Sequence, residues 1–285
     1  MPLESRPTQA LQTAHDIGCE AIQIFVSSPR VWAPPAPNPT ATATFVQAFQ
    51  SQDFTTLVVH AAYLINCASN TAETRAKSQQ LLRWTVERGA ALGASDVVFH
   101  IGSHGGDGLA VGKERIIAAL CAIGADLPAG PRLLLENDVG AGNTVGSDFT
   151  TIAEILAGAQ AVWGERLGVC IDTAHLWGAG YDIGTPEGAH TILAQMDAAF
   201  GLAKIRVIHL NDTVTARGGH RDLHARLGEG IIGMAGLRVL LTTPALADAT
   251  IILETPIKQR EGSEDHDWDD ERRQLNLVRD LIKNG

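Results

Sequence analysis

"DVVFHIG" (residues 96–102) is a nearly continuous apolar run that ends on a histidine and a glycine. After Asp96 no polar residue alternates with the apolar ones, so the segment does not read as a strand with one wet face. Unbroken Val, Phe and Ile are expected of a parallel strand covered on both sides. The flanks support that reading. Before it, "TRAKSQQLLRWTVERGAALGA" (74–94) sets Ala76, Leu81, Leu82, Trp84 and Val86 among charges. After it comes "GKERIIAALCAIGADL" (112–127), a second amphipathic helix pattern. Helix, buried strand and helix at this spacing form part of a βαβ chain.

The same unit recurs along the chain. Similar runs are "AIQIFV" (21–26), "TLVVHAAY" (56–63), "RLLLEND" (132–138), "GVCIDTAH" (168–175), "IRVIHLND" (205–212) and "TIILETP" (250–256). Further helix patterns lie in "TQALQTAHDIG" (8–18), "DFTTIAEILAGA" (148–159) and "HTILAQMDAAFGLAKI" (190–205). The proline-rich "PPAPNPTATATF" (34–45) reads as a loop feeding a helix, and no linker or repeat divides the chain. The expectation is an α/β fold, a TIM-type (β/α)8 barrel, as a single domain over 1–285. One strand is lacking. Only "MPLESRPTQ" precedes the first helix, and Pro2 and Pro7 suit a central strand poorly. The first strand is therefore expected to be missing or irregular, leaving runs 21–26 and 250–256 with unpaired facing edges. The native chain would then either start upstream of Met1 or tolerate the loss.

Composition narrows the function classes. The 285 residues are 45% hydrophobic and 19% charged, and no apolar run is long enough to span a bilayer. The start has no basic region followed by an apolar stretch, so no secretory signal is expected. Cys19, Cys67, Cys121 and Cys170 are widely spaced and form no C-x-x-C pair, which predicts free thiols in a reducing, cytoplasmic setting. The formal charge of −10 disfavours a nucleic-acid partner at first sight. Three bound divalent cations would leave only −4 and would concentrate positive charge in one cleft.

Ionisable residues fall at the C-terminal end of nearly every strand-like run: His60, His100, Glu136, Asp172 with His175, His209 and Glu254. In a TIM barrel that end is the active-site face. In "HRDLHARLGEG" (220–230), Asp222 and His224 stand two apart, so in an extended segment they point the same way. Singly, each has an ordinary explanation: a hydrogen-bonded histidine, a carboxylate paired with a lysine, an exposed polar loop. Jointly, several acids gathered in one pocket with few basic partners need a cation, because each pays a desolvation cost unless paired or metal-bound. Imidazole and carboxylate without thiolate suit zinc and multinuclear hydrolytic centres. By contrast His104 reads as loop, His15, His190 and His266 as surface, and Cys170 as core.

These residues lie in segments that resemble endonuclease IV, the zinc-dependent apurinic/apyrimidinic endonucleases of DNA repair. The resemblance rests on "LVVHAAYLINCAS", "FHIGSH", "LLLEN", "GVCIDTAHLWGAGYDI", "HLNDT", "DLHARLGEGIIG" and "ILETP", in that order, from about residue 10 to the C-terminus. It implies three Zn2+ ions per chain. His60, His100 and Glu136 would hold the first; Glu136, Asp172, His209 and Glu254 the second; His175, Asp222 and His224 the third. It also implies hydrolysis of the phosphodiester 5′ to an abasic site in double-stranded DNA, leaving a 3′-hydroxyl. The carboxylates Glu136, Asp172 and Glu254 are then the catalytic candidates, and Arg30 and Tyr63 match loop positions that probe DNA beside the lesion. The chain departs from the family at Thr213 and Val214, at Leu223 between Asp222 and His224, and at Asp138 after Glu136-Asn137. Those changes bear on DNA affinity rather than on metal binding. The alternative is a xylose-isomerase-like sugar isomerase or epimerase with one divalent metal, which would leave His60, His100, Asp222 and His224 without a role. A metal-binding barrel that holds its ligand without turnover is a third reading. No membrane partner is expected.

Overall fold

The computed structural model describes residues 7–262 and 265–283. Helix α1 (Pro7–Ile17) leads into β1 (Ala21–Phe25), followed by α2 (Pro39–Gln50), β2 (Thr56–His60), α3 (Ala72–Leu92), β3 (Asp96–His100) and α4 (Leu109–Gly124). Then come β4 (Arg132–Glu136), α5 (Phe149–Trp163), β5 (Leu167–Asp172), α6 (Thr173–Gly178), α7 (Pro186–Phe200) and β6 (Ile205–His209). A short ribbon of β7 (Asp212–Thr213) and β8 (His224–Ala225), then α8 (Met234–Thr242), β9 (Thr250–Ile252) and α9 (Trp268–Lys283) complete the chain.

Seven strands form one parallel sheet in the order β1-β2-β3-β4-β5-β6-β9. All seven coincide with the runs expected from sequence. The alternation of side chains along a strand sorts them into two populations. Leu57, Val59, Val97, Phe99, Leu133, Leu135, Val169 and Ile171 point outward and pack in the large core that includes the helices. Val58, Val98, Leu134, Cys170, Val207 and Ile252, with Ala21 against them, form a separate layer inside the curved sheet. Burying each of the larger aliphatic side chains contributes about 1.5–3 kcal/mol. Cys170 is core, and its thiol is pushed up to about 12 by burial.

Two residues beyond each member of that inner layer stand Gln23, His60, His100, Glu136, Asp172, His209 and Glu254. One step of strand period therefore lifts the chain from an apolar plug to a polar ring at the C-terminal mouth. At the other end Asp96 is buried against Arg132, whose Nε and Nη2 donate to its two oxygens at 2.6 and 2.8 Å.

Among the described residues no ladder joins β1 to β9, and a cleft of about 630 Å³ opens along their facing edges. The expectation of a missing first strand falls mainly on residues 1–6, which lie outside the described residues; Pro7 and Thr8 already belong to α1. Each strand ends before the run that predicts it does, and at two of them the next element shows why. β5 stops at Asp172, whose Oδ1 accepts from the His175 amide at 2.8 Å and so caps α6. β6 stops at His209, and Asp212 begins the ribbon.

Candidate metal centre

The polar ring of β1–β6 is completed by His175 on α6, by Asp222 just before β8 and His224 at its start, and by Glu254 just beyond β9. Glu136 is its floor, 2% exposed, and its partners are imidazoles. His60 Nε2 lies 3.2 Å and His100 Nε2 3.4 Å from Oε2, while His209 Nδ1 lies 2.9 Å and His175 Nδ1 3.7 Å from Oε1. His209 Nδ1 also faces Glu254 Oε2 at 3.2 Å and Asp172 Oδ2 at 3.9 Å. At the rim, Asp222 reaches His175 Nε2 at 3.3 Å and His224 Nε2 at 3.0 Å. All nine residues expected from sequence thus come together at the strand ends.

Their ligand atoms fall into groups of metal-site dimensions. His60, His100 and Glu136 form one; Glu136, Asp172, His209 and Glu254 form a second; Asp172, His175 and His224 form a third, every atom of a group within 4.8 Å of the others. The third differs from the expected set, since Asp172 takes the place of Asp222. Asp222 is half-exposed and sits over the two histidines from the solvent side. Glu136, Cys170 and His209 also meet, but the thiol stays protonated by burial, which leaves the imidazoles and carboxylates as the available donors.

Three histidines are aimed in the same way. His60, His175 and His224 each place Nδ1 against a backbone carbonyl, those of Ala61, Asn137 and Glu254, at 2.7, 2.9 and 3.2 Å. A ring that donates from Nδ1 leaves Nε2 as the atom that faces the cavity and can give up its proton to a metal, the usual support for a metal-ligating histidine. The His224 Nε2 so presented is buried and has no aligned hydrogen-bond partner. His209 is turned the other way: Nδ1 faces the cavity and Nε2 meets Gln23 Oε1 at 2.9 Å.

Asp222 and His224 owe their position to Asp212. Its carboxylate accepts from the amides of Thr213, Gly228, Gly230 and Ile232 at 2.8–3.1 Å. That wraps the Gly-Glu-Gly turn around one buried anion. Gly228 has φ +78, and a Cβ at Gly230 would lie 2.2 Å from Asp212 Oδ1. Both glycines are therefore required by the fold of the loop. β8 then pairs His224 with Thr213 and Ala225 with Asp212.

Charge and burial work against each other here. Burial would raise the Glu136 carboxyl, but His209, His100 and His60 hold it well below the ordinary carboxylate range. Burial likewise opposes charge on His175 and His209. Asp172, Asp222 and Glu136 nevertheless raise His175, and Glu254 and Glu136 raise His209, both well above the ordinary imidazole value. His224 is pushed up to about 9 by Asp222 and Asp172 against the effect of burial. Buried carboxylates here are neutralised by protons on imidazoles, and a divalent cation could replace those protons. The donor chemistry, the grouping and the two carboxylates that crowd His224 Nε2 all fit metal ions.

Some site residues are not legible as such in the sequence. Asn137 holds Asp172 from both sides of its peptide, accepting from the amide at 2.7 Å and donating to the carbonyl at 3.3 Å. Asn211 donates to Asp172 Oδ2 at 2.7 Å and accepts from the Glu254 amide at 2.9 Å. Gln23 is a further one, although a lone amide at the inward parity of "AIQIF" is a usable signal. Arg30 and Tyr63 stand outside the ring. Arg30 is exposed, and Tyr63 is 53% exposed with its ring edge-on to Phe25, His60 and His100. His104 is a loop residue whose Nδ1 accepts from the Gly106 and Gly108 amides.

Known proteins share both the barrel and its sequence. The family model for xylose isomerase-like TIM barrels matches residues 11–277. A probable endonuclease 4 of Halothermothrix orenii is 38% identical over 248 residues, 87% of this chain and 88% of the relative. The crystal structure of endonuclease IV from Thermus thermophilus superposes with a TM-score of 0.83 at 33% identity, covering 100% of this chain and 98% of that one. A D-tagatose 3-epimerase-like protein reaches 0.72 at 19% identity, over 99% of this chain and 96% of that one, and shares the fold alone. The chain belongs to the endonuclease IV family of xylose isomerase-like TIM barrels.

Proposed function

We propose that this protein is a zinc-dependent endonuclease of DNA repair that hydrolyses the phosphodiester 5′ to abasic sites. The observation that carries the reading is Glu136: a buried carboxylate ringed by four histidines from other elements, with no lysine or arginine among its ion-pair partners in the described residues. A charge pattern of that kind is suited to more than one metal ion sharing one bridging carboxylate. His60, His100 and Glu136 would hold one zinc, Glu136, Asp172, His209 and Glu254 a second, and His175, Asp222 and His224 a third, with Asp172 close to the last pair. When bound, such ions supply Lewis acidity and neutralise charge on the attacked phosphate.

The chain's own residues supply the rest. Glu136, Asp172 and Glu254 provide the carboxylates nearest the reacting centre, and Asn137 and Asn211 fix the orientation of Asp172. Tyr63 and Arg30 would lie against the duplex beside the mouth. An abasic nucleotide has no base to unstack, so turning it into the pocket costs little and favours damaged DNA. Ions in the mouth would also offset the acidic balance of the chain, which is −10 without them.

A nicking assay on a duplex with one abasic site, run with elemental analysis, tests the reading. Cleavage 5′ to the lesion, three zinc ions per chain and loss of both on chelation are expected. One divalent ion per chain with sugar isomerisation and no nicking would reassign the protein to the isomerase–epimerase group.

A further inference from the structure

Gln23 occupies the ring position that β1 contributes, two residues beyond Ala21 in the inner layer, and it is the one member of the ring that does not ionise. Its amide spans two of the candidate ligands. Gln23 Nε2 donates to Glu254 Oε1 at 2.6 Å, and Gln23 Oε1 faces His209 Nε2 at 2.9 Å. The orientation of the amide is forced by chemistry: a carboxylate can only accept, so the NH2 must face Glu254 and the carbonyl must face the ring. His209 must then carry a proton on Nε2, which leaves Nδ1 as its ligand atom, the one that faces Glu136, Asp172 and Glu254. At Glu254 the same amide engages Oε1 and leaves Oε2 turned to the cluster, 3.2 Å from His209 Nδ1.

His60, His175 and His224 receive this service from backbone carbonyls, which no substitution removes. His209 receives it from a side chain that comes across the facing edges of β1 and β9, where among the described residues no backbone ladder fixes the separation. We propose that Gln23 is a positioning residue for the metal site of Glu136, Asp172, His209 and Glu254, selecting the His209 tautomer and the Glu254 orientation from across the β1–β9 seam. The proposal rests on the reading that metal ions occupy that site.

Two substitutions separate the two bonds. Gln23→Met keeps length and removes both. Gln23→Glu keeps an acceptor for His209 but cannot donate to Glu254, and sets a like charge against it. Zinc affinity is measured by chelator competition, the Co2+-substituted absorption spectrum reports ligand geometry, and 15N NMR of the zinc-loaded protein reports the His209 tautomer. Gln23→Met is expected to weaken the ion held by His209 and Glu254 about 10–100-fold, the range for lost outer-shell partners. kcat for abasic duplex should fall with KM unchanged. Gln23→Glu should retain the Nε2–H tautomer while its Co2+ spectrum changes. Wild-type affinity and spectrum in Gln23→Met overturn the proposal. If that variant does not fold, His209 bound through Nε2 in the zinc-loaded wild type overturns it equally. A wild-type protein that takes up no zinc would instead refute the metal-centre reading itself, and this proposal with it.

Discussion

Asp222 Oδ2 lies 3.3 Å from His175 Nε2, although Asp222 sits on a half-exposed loop and His175 is buried on the helix after β5. The contact joins the last part of the barrel to its middle across the mouth. It depends on the loop that Asp212 holds through the amides of Gly228, Gly230 and Ile232. The rim of the centre is thus built by backbone wrapped around a buried carboxylate rather than by a strand.

Gly230→Ala tests that dependence. The new Cβ would sit 2.2 Å from Asp212 Oδ1 with the Thr213 carbonyl close behind, so the loop must shift. A destabilisation of about 1–3 kcal/mol is expected for such crowding. The ion held by His175, Asp222 and His224 should bind at least tenfold more weakly, while the other two are retained. Unchanged zinc stoichiometry and unchanged thermal stability would show that the loop does not need its present path.

The pair His224–Asp222 makes the metal-free protein sensitive to pH. His224 titrates at about 9 in the folded chain against an ordinary 6.5, so its stabilising effect is complete below pH 6.5 and disappears as pH rises through 9. Asp222 is displaced downward, so its contribution is present above its ordinary 3.8 and is lost only in strong acid. The Tm of the metal-free protein is expected to fall between pH 6.5 and 9. Zinc must expel the same protons, so its affinity should rise over that window, with proton release visible in titration calorimetry across buffers. A metal-free Tm that climbs from pH 6.5 to 9 would contradict the charge state assigned to the centre.

Glu136→Ala removes the one carboxylate shared by the first two groups. Nicking should fall by at least about 10³-fold, the scale on which lost charge stabilisation acts at an active site. Circular dichroism should still show a folded barrel, because the inner apolar layer beneath Glu136 is untouched. Full nicking with metal retained would remove Glu136 from the mechanism.

Recognition should separate from chemistry at the rim. Tyr63 and Arg30 are exposed and belong to none of the metal-sized groups. Tyr63→Ala or Arg30→Ala is expected to weaken binding to abasic duplex by about tenfold, as for an aromatic or arginine contact of 1–2 kcal/mol, with zinc content unchanged. Equal affinity of the wild type for abasic and intact duplex would exclude a lesion-probing role for both.

The strands and the floor of the site are written in residue order. Buried parallel strands are nearly continuous apolar runs, so Asp96–His100 and its six counterparts were legible, and so was the histidine or carboxylate at the end of each run except the first, which carries Gln23. That information is local, written in side-chain type and in a period of two. What depends on distant parts of the chain came from the folded barrel. It brought Asp172 beside His224, and it set Gln23 between His209 and Glu254 across the seam of β1 and β9. Hydrogen-bond partners chosen by barrel curvature and loop path leave no periodic trace in sequence, since each contact joins residues separated by tens to hundreds of positions, and local residue preferences do not encode which of them will meet.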